Sequence, residues 1–389
     1  MMVLSVILVS IILGLTLDVH ANHVDFLSDE YIDSLNKQGL SWTAGRNFAA
    51  DLTPADVERM FGPRPPHQGF PEYPAPSERR SYYRSGLNAA PSFPPFDARE
   101  HFKSCAPIIA EVPNQGACAS SYAFAISSVA SDRLCIASQG KVKKLLSAQY
   151  IASCCKMCRY PNQKEVCSSG LSSSTWVWVH KRGLVTGGAH HSNTGCQPVS
   201  FPPCNHANYT TSEPECKTLA TPQPKCHTRC TNDNYGRGFF QDKYRFKRYY
   251  WVNDEVADIQ QEIMKNGPVV ANMYLYSDIF SYKSGVYAVS ASAEIVAYAT
   301  VKIVGWGEEN GRPYWTIVST FGEQFGDKGT IKILRGRNEA IIESLVNGAL
   351  PKDNYGAEFG EESGEILSEE FGVEAESSEE FREENGEEE

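Results

Sequence analysis

The stretch from Gln115 to Phe124 reads Gln-Gly-Ala-Cys-Ala-Ser-Ser-Tyr-Ala-Phe and leads directly into a long helical pattern. The spacing of apolar residues predicts a helix from Ser121 to Ile136. Its proposed buried face consists of Phe124, Ala125, Val129 and Leu134. Ser121 therefore stands at the start of a helix, where the aligned peptide dipoles stabilise negative charge.

Further along the chain the pattern changes from helical to extended. Short apolar or alternating runs separated by glycines are typical of antiparallel strands. Four such runs stand out: Val269 to Leu275, Val301 to Val304, Tyr314 to Val318 and Thr330 to Leu334. The core from about Phe93 to Leu350 is thus helical first and sheet second, which predicts an α+β fold.

The N-terminus has the features of a secretory leader. Val3 to Leu17 is apolar and small residues precede the expected cut after Ala21, so residues 1–21 are interpreted as a signal peptide. The apolar run is shorter than the roughly 20 residues that cross a bilayer, and no later run matches it, so no membrane span is expected. We expect secretion, with a lysosomal or vacuolar route as the alternative.

All twelve cysteines lie between Cys105 and Cys230. An even number in a chain that enters an oxidising compartment favours six disulfides. A zinc site is the alternative, because Cys155 and Cys158 form a CxxC, but no second pair stands at matching spacing. We therefore expect neither a metal nor a cofactor. Asn208 begins an Asn-Tyr-Thr glycosylation motif.

Two segments flank this core. Residues 22–92 contain no cysteine and many prolines, and they are interpreted as a propeptide, called here the prosegment. Within it, Thr53 is predicted to cap a helix from Pro54 to Phe61, with Gly62 just beyond its end. Arg79 and Arg80 offer a possible cleavage site.

The second flanking segment, residues 353–389, carries sixteen acidic residues against one arginine, a net charge of −15 in a chain whose total is −11. Like charges at this density repel, so a disordered acidic tail is predicted. It could hold calcium or basic partners, or it could be a solvated tail without a ligand. Four serines stand two residues before a glutamate, a pattern that resembles secretory-kinase sites: Ser363, Ser368, Ser377 and Ser378.

The stretch from Gln115 to Phe124 resembles the active-site segment of papain-family cysteine peptidases, which reads Q-G-x-C-G-S-C-W-A-F in cathepsin-type enzymes. Other segments resemble cathepsin B in particular: Ser41 to Phe48, Phe96 to Glu100, Leu146 to Gln149, Tyr276 to Asp278, Tyr282 to Tyr287 and Gly305 to Gly307. The resemblance implies a papain-like fold over residues 93–352, with a helical left subdomain and an antiparallel, barrel-like right subdomain.

The same resemblance places three catalytic positions at Ser121, Ala299 and Ser319. The family uses a thiolate whose pKa is lowered by a helix start and a neighbouring imidazolium. A serine hydroxyl becomes a nucleophile only when a base removes its proton, and Ala299 cannot act as one. Gln115 is retained, and it would point at the oxyanion together with the Ser121 amide. None of the three catalytic positions is expected to function.

Binding positions implied by the resemblance are His206, Leu345 and Gly170. His206 matches one of two adjacent histidines in the occluding loop of cathepsin B, and Leu345 replaces an acid that lets the family accept arginine. The implied disulfides are Cys105–Cys135, Cys118–Cys167, Cys154–Cys226, Cys155–Cys158, Cys196–Cys230 and Cys204–Cys216. The pair His190 and His191 suggests a substitute base, but surface histidines are the favoured interpretation.

Three functions compete. The first is an extracellular binding or scaffold protein that uses the cleft for a peptide or protein ligand, partly like tubulointerstitial nephritis antigen, a matrix protein that resembles cathepsin B. The second is a residual peptidase or hydrolase of the cathepsin B lineage, acting through Ser121. The third assigns the function to calcium or matrix binding by the acidic tail. No nucleic-acid partner is expected.

Overall fold

The computed structural model describes residues 25–63, 79–80 (backbone only), 93–160, 163–206 and 212–352. These ranges lie within one compact unit that extends to Tyr355. The predictions for the signal peptide, for Asn208 and for the acidic tail fall outside the described residues. Among the described residues, no helix has the length and apolarity that a bilayer crossing requires.

The prosegment contributes α1 (Asp29–Asn36), β1 (Trp42–Ala44), α2 (Pro54–Phe61) and β2 (Arg79–Arg80). The predicted helix α2 is confirmed at both ends. Thr53 and Asp56 form a reciprocal capping box, and Gly62 ends the helix at φ 91°. β1 pairs antiparallel with a strand of the core, and the Trp42 indole donates a hydrogen bond to the Ala288 carbonyl at 2.9 Å.

The helical subdomain contains α3 (Ala98–His101), α4 (Ala106–Ile109), α5 (Ser121–Ala137), α6 (Ala148–Cys154) and α7 (Ser172–Arg182). The predicted helix from Ser121 is confirmed and runs one residue further. The sequence predicted burial of one face of this helix only, but 14 of its 17 residues are buried. α5 contacts α6 and α7 as well as the long strand of the sheet, so every face of the helix meets protein.

The other subdomain is a sheet with α8 (Val256–Asn266) beside it. The strands are β3 (Phe96–Asp97), β4 (Tyr250–Val252), β5 (Val269–Tyr276), β6 (Tyr282–Tyr287), β7 (Ile295–Glu309), β8 (Arg312–Val318), β9 (Thr330–Leu334) and β10 (Asn347–Gly348). Their order is β1-β6-β9-β8-β7-β5-β10-β4-β2, and β3 also pairs with β7. All four predicted strands are present. Most pairs are antiparallel, but β6 with β9 and β2 with β4 are parallel.

Two large apolar cores support these halves. One surrounds Tyr122, Trp176 and Phe246 in the helical subdomain. The other fills the barrel and includes Phe48 and Phe61 of the prosegment. The prosegment is therefore part of the folded core, because its apolar side chains are buried with those of the barrel.

Six disulfides join the described cysteines in the pattern that the resemblance implies. They are Cys105–Cys135, Cys118–Cys167, Cys154–Cys226, Cys155–Cys158, Cys196–Cys230 and Cys204–Cys216. No described cysteine is free, so the zinc alternative at the CxxC has no thiolate to use. Each bridge stabilises the fold by about 2–4 kcal/mol, mainly by restricting the unfolded chain.

Candidate active-site cleft

Ser121 begins α5 and is buried where this helix packs against β7. Its Oγ accepts a hydrogen bond from the Thr300 backbone amide at 3.1 Å. Among the described residues no side chain accepts the Ser121 proton. The hydroxyl is therefore held as an acceptor by the backbone and has no base in contact with it.

Ala299 lies in β7 directly before Thr300 and pairs with Met273 of β5. It is 2% exposed and belongs to the apolar core of the barrel. The position implied for the base thus comes close to Ser121, as the resemblance requires, but it offers only a methyl group. A methyl group neither accepts nor releases a proton at any relevant pH.

Ser319 follows β8 and is also buried. Its amide donates to the Gly329 carbonyl at 2.9 Å, and its Oγ accepts from the Phe321 amide at 3.3 Å. The Ser319 side chain therefore stabilises its own turn, and in the described residues it orients no histidine. The neighbouring Thr320 hydroxyl donates to the Gln115 side-chain oxygen.

Gln115 is fully engaged in hydrogen bonds. Its Nε2 donates to the carbonyl of Met60 at 2.8 Å and to that of Cys118 at 2.9 Å, while its Oε1 accepts from Thr320. Met60 belongs to the prosegment. The amide implied as an oxyanion donor therefore binds a prosegment carbonyl in this structure.

Met60, Phe61 and Gly62 together fill the cleft, which is the groove bounded by Gln115 to Ser121, by Ser169 and by Ser319 to Phe321. The Phe61 ring packs edge-on against Phe321 with centroids 4.9 Å apart. Gly62 faces the opposite wall so closely that a Cβ atom there would lie 2.7 Å from the Ser169 Cβ. Glycine is required at this point, both for its φ of 91° and for this approach.

The wall opposite Gly62 consists of Ser169 and Gly170. Ser169 adopts φ 68°, a left-handed conformation that favours glycine. Gly170 has no room for a side chain, since a Cβ atom would lie 2.5 Å from the Cys158 carbonyl and 2.7 Å from the Tyr122 ring. Gly170 therefore shapes the wall through backbone packing.

His206 is buried beneath the prosegment. Its ring lies 4.9 Å from the Phe48 centroid and 6.2 Å from that of Phe61, and its carbonyl accepts from the Ala49 amide at 2.7 Å. Nδ1 lies 3.1 Å from the Cys216 sulfur, while Nε2 has no partner. Burial lowers the pKa of His206 to about 4.

Cys204, His206 and Cys216 form a cluster with metal-ligand spacing. Because Cys204 and Cys216 are joined in a disulfide, neither offers a thiolate, and the cluster does not fit a metal in this state. A disulfide sulfur can only accept a hydrogen bond. Neutral His206 therefore carries its proton on Nδ1.

The remaining sequence-predicted residues take different places. Leu345 is fully buried, and its carbonyl accepts from the Asn272 side chain at 3.1 Å. His191 is exposed as expected, but His190 is half-buried, and its Nδ1 contacts the Val199 carbonyl at 3.2 Å. In the described structure neither histidine bonds to Ser121, so no substitute base is found in this pair.

Residues 93–350 match the family described as papain family cysteine protease. The chain belongs to the papain family. Within it the chain is cathepsin B-like: it is 38% identical over 257 residues to cathepsin B-like cysteine proteinase 4 of Caenorhabditis elegans, covering 66% of this chain and 75% of that protein. Cathepsin B-like cysteine proteinase 5 of the same organism is 39% identical over 258 residues, covering 66% and 74%.

A solved structure shows the same likeness. Procathepsin B S9 from Trypanosoma congolense superposes with a TM-score of 0.66 at 30% identity, covering 84% of this chain and 99% of that one. The two-subdomain papain-like fold expected from the sequence is thus confirmed.

Sequence reasoning did not identify which residues occupy the cleft. Met60, Phe61 and Gly62 were recognised only as the end of a helix, and Thr320 was not expected to bind Gln115. Gly62 was the available signal, since it ends α2 where the chain enters the cleft.

Proposed function

We propose that this papain-family chain is a secreted, non-hydrolytic binding protein whose cleft, when the prosegment leaves it, takes a peptide or protein ligand. The observation that carries the proposal is the environment of Ser121, whose hydroxyl accepts from the Thr300 amide and has no described side chain to take its proton. The relatives are named as proteinases, so the proposal concerns a change of function within the family.

The chemistry supports loss of hydrolysis. Removing a complete catalytic triad lowers turnover by about a millionfold in a measured serine protease, even where oxyanion donors remain. Here the base position holds Ala299, and the remaining donor, Gln115, is bonded to Met60. Both the nucleophile and its activation are missing from this arrangement.

The prosegment contacts indicate what kind of ligand the cleft suits. The Gln115 amide donates a hydrogen bond to a backbone carbonyl, and the Phe321 ring packs against an aromatic side chain. The wall at Ser169 leaves room only for a glycine. A peptide with an aromatic residue beside a glycine reproduces these contacts. By the family resemblance, leucine rather than an acid at Leu345 favours apolar over basic side chains.

Binding can be measured with a synthetic peptide of residues 54–64 and protein from which the prosegment has been removed. We expect saturable binding by calorimetry, weakened about tenfold or more by Gln115→Ala because a buried carbonyl loses its donor. Gln163→Ala, which changes an exposed glutamine, is the matched control. Absence of binding, or equal binding to both variants, would contradict the proposal.

Stepwise reconstruction tests the catalytic half of the proposal. Ser121→Cys alone should give no peptidase activity, because the thiol lacks a base. The triple variant Ser121→Cys, Ala299→His, Ser319→Asn should give activity after prosegment removal. Activity of the single variant equal to that of the triple would show that an unrecognised base acts on this position.

A second candidate function rests on the net charge of −15 in residues 353–389, which favours calcium or basic partners. Deleting these residues should then abolish calcium binding measured by calorimetry, and an unchanged isotherm would end the hypothesis.

Secretion is tested separately by mass spectrometry of the extracellular product, whose N-terminus should follow Ala21 if the leader is cleaved.

A further inference from the structure

A cavity of about 220 Å³ lies beside α5, one to two turns beyond Ser121. Its walls come from residues 111–114, from α5, from residues 145–148 and 187–190, from residues 199–203, and from Glu213. Neither Gln115, Ser121 nor any prosegment residue lines it. Its lining is therefore separate from the peptide cleft.

Much of the wall is apolar. Phe124, Val199 and Phe201 are buried, and the two phenylalanine rings meet edge-on with centroids 6.2 Å apart. Such walls favour an apolar ligand body with shape complementarity to the rings. A volume of about 220 Å³ equals that of about seven water molecules and suits a molecule of about ten non-hydrogen atoms.

The acidic groups of the cavity are two carboxylates. Glu111 and Glu213 are half-buried, and neither forms an ion pair or a hydrogen bond among the described residues. Burial raises the pKa of both carboxyl groups, and Glu323 raises that of Glu111 further. His190 donates from Nδ1 to the Val199 carbonyl.

Two of the side-chain donors that line the cavity already have acceptors. The Asn114 Nδ2 donates to the Cys204 carbonyl at 3.3 Å, and the Ser127 hydroxyl donates to the Phe124 carbonyl at 3.1 Å. The Lys302 ammonium, which attracts Glu111, is bound to Asp132 at 3.0 Å. Among the described residues, neither carboxylate of the cavity forms an ion pair, although Lys302 lies close enough to attract Glu111.

We propose that this cavity is a binding site for a small organic cation, a primary amine carried on an aromatic or branched aliphatic body. The ammonium donates hydrogen bonds to a carboxylate of the cavity wall, Glu111 or Glu213, while the body packs against Phe124, Val199 and Phe201. Charge-assisted hydrogen bonds are the stronger class, so the two carboxylates supply the selectivity for a cation.

The test uses the full-length protein and 2-phenylethylamine as the probe, measured by isothermal titration calorimetry. We expect one amine bound per chain, with 2-phenylethanol, the neutral analogue, bound at least about tenfold more weakly. Glu111→Gln or Glu213→Gln should weaken amine binding at least about tenfold, because the ammonium loses its charged acceptor. Glu165→Gln removes the same charge from an exposed position and should leave binding unchanged.

A rise in melting temperature with added amine provides a second readout that also reports folding of each variant. The rise should be lost in the double variant Glu111→Gln, Glu213→Gln, with the melting temperature of the free protein retained. No binding by the wild type, equal binding of amine and alcohol, or undiminished binding by the double variant would each overturn the proposal.

Discussion

His206 lies in a buried, apolar site to which the docked prosegment contributes. Phe48 and Phe61 cover its ring, Nε2 has no partner, and burial lowers the pKa from 6.5 to about 4. When the prosegment leaves or the chain unfolds, the ring returns to water and its pKa to the ordinary value. Prosegment docking should therefore depend on pH.

The sign and size of this dependence follow from proton linkage. The unfolded chain binds a proton as the pH falls past about 6.5, whereas the folded chain binds it only near pH 4. The contribution of neutral His206 is thus fully present above about pH 6.5 and is lost as the pH falls through about 4. At about pH 5 the docked state has lost about 2 kcal/mol of stability, which shifts the equilibrium toward release about thirtyfold. At still lower pH the loss approaches about 3 kcal/mol.

The assay compares the free energy of unfolding in urea near pH 7 and near pH 5 for wild type, His206→Phe and the exposed control His191→Phe. Asp132, whose pKa burial raises to about 6, titrates in the same range, so only the difference between proteins is informative. Wild type and His191→Phe should lose about 2 kcal/mol more than His206→Phe. Equal losses in all three proteins would refute the reasoning.

Three further predictions concern single side chains. Gly62→Ala should speed proteolytic release of the prosegment more than Gly39→Ala, since both glycines have positive φ but only Gly62 would clash with Ser169; equal rates would contradict this contact. Glu262→Gln removes the ion-pair partner of the fully buried Arg133, which lies 2.9 Å away, and should lower the free energy of unfolding by about 3–5 kcal/mol. A loss below about 1 kcal/mol would argue against burial of this pair. Ser169→Gly should raise stability by about 1 kcal/mol in thermal melts because it relieves φ 68°; no gain would mean the serine is not strained.

Local signals in the sequence predicted the elements that depend on local interactions. The capping residues of α2 placed both of its ends, because a cap bonds to backbone within one turn. Apolar spacing placed α5, but spacing along one helix does not report how many neighbours surround it, and so burial on all sides was not expected.

Long-range partners were the part that local patterns could not predict. The Gln115 side-chain nitrogen donates to the carbonyl of Met60, 55 residues earlier in the chain. Its side-chain oxygen accepts from the hydroxyl of Thr320, 205 residues later. His206 is buried by residues of the prosegment, and the disulfide pairing came from the family resemblance because twelve cysteines allow very many pairings. Such contacts depend on the packing of distant segments, which the sequence states only through resemblance to a known fold.

Cleavage of a broad peptide library by prosegment-free protein, at acid and at neutral pH, measures most directly whether Ser121 retains nucleophilic activity. The products are identified by mass spectrometry, with the Ser121→Ala variant prepared in parallel. Because Ala299 provides no base, we predict the same background level of cleavage for both proteins. Cleavage by the wild type that Ser121→Ala abolishes would contradict the loss of peptidase function.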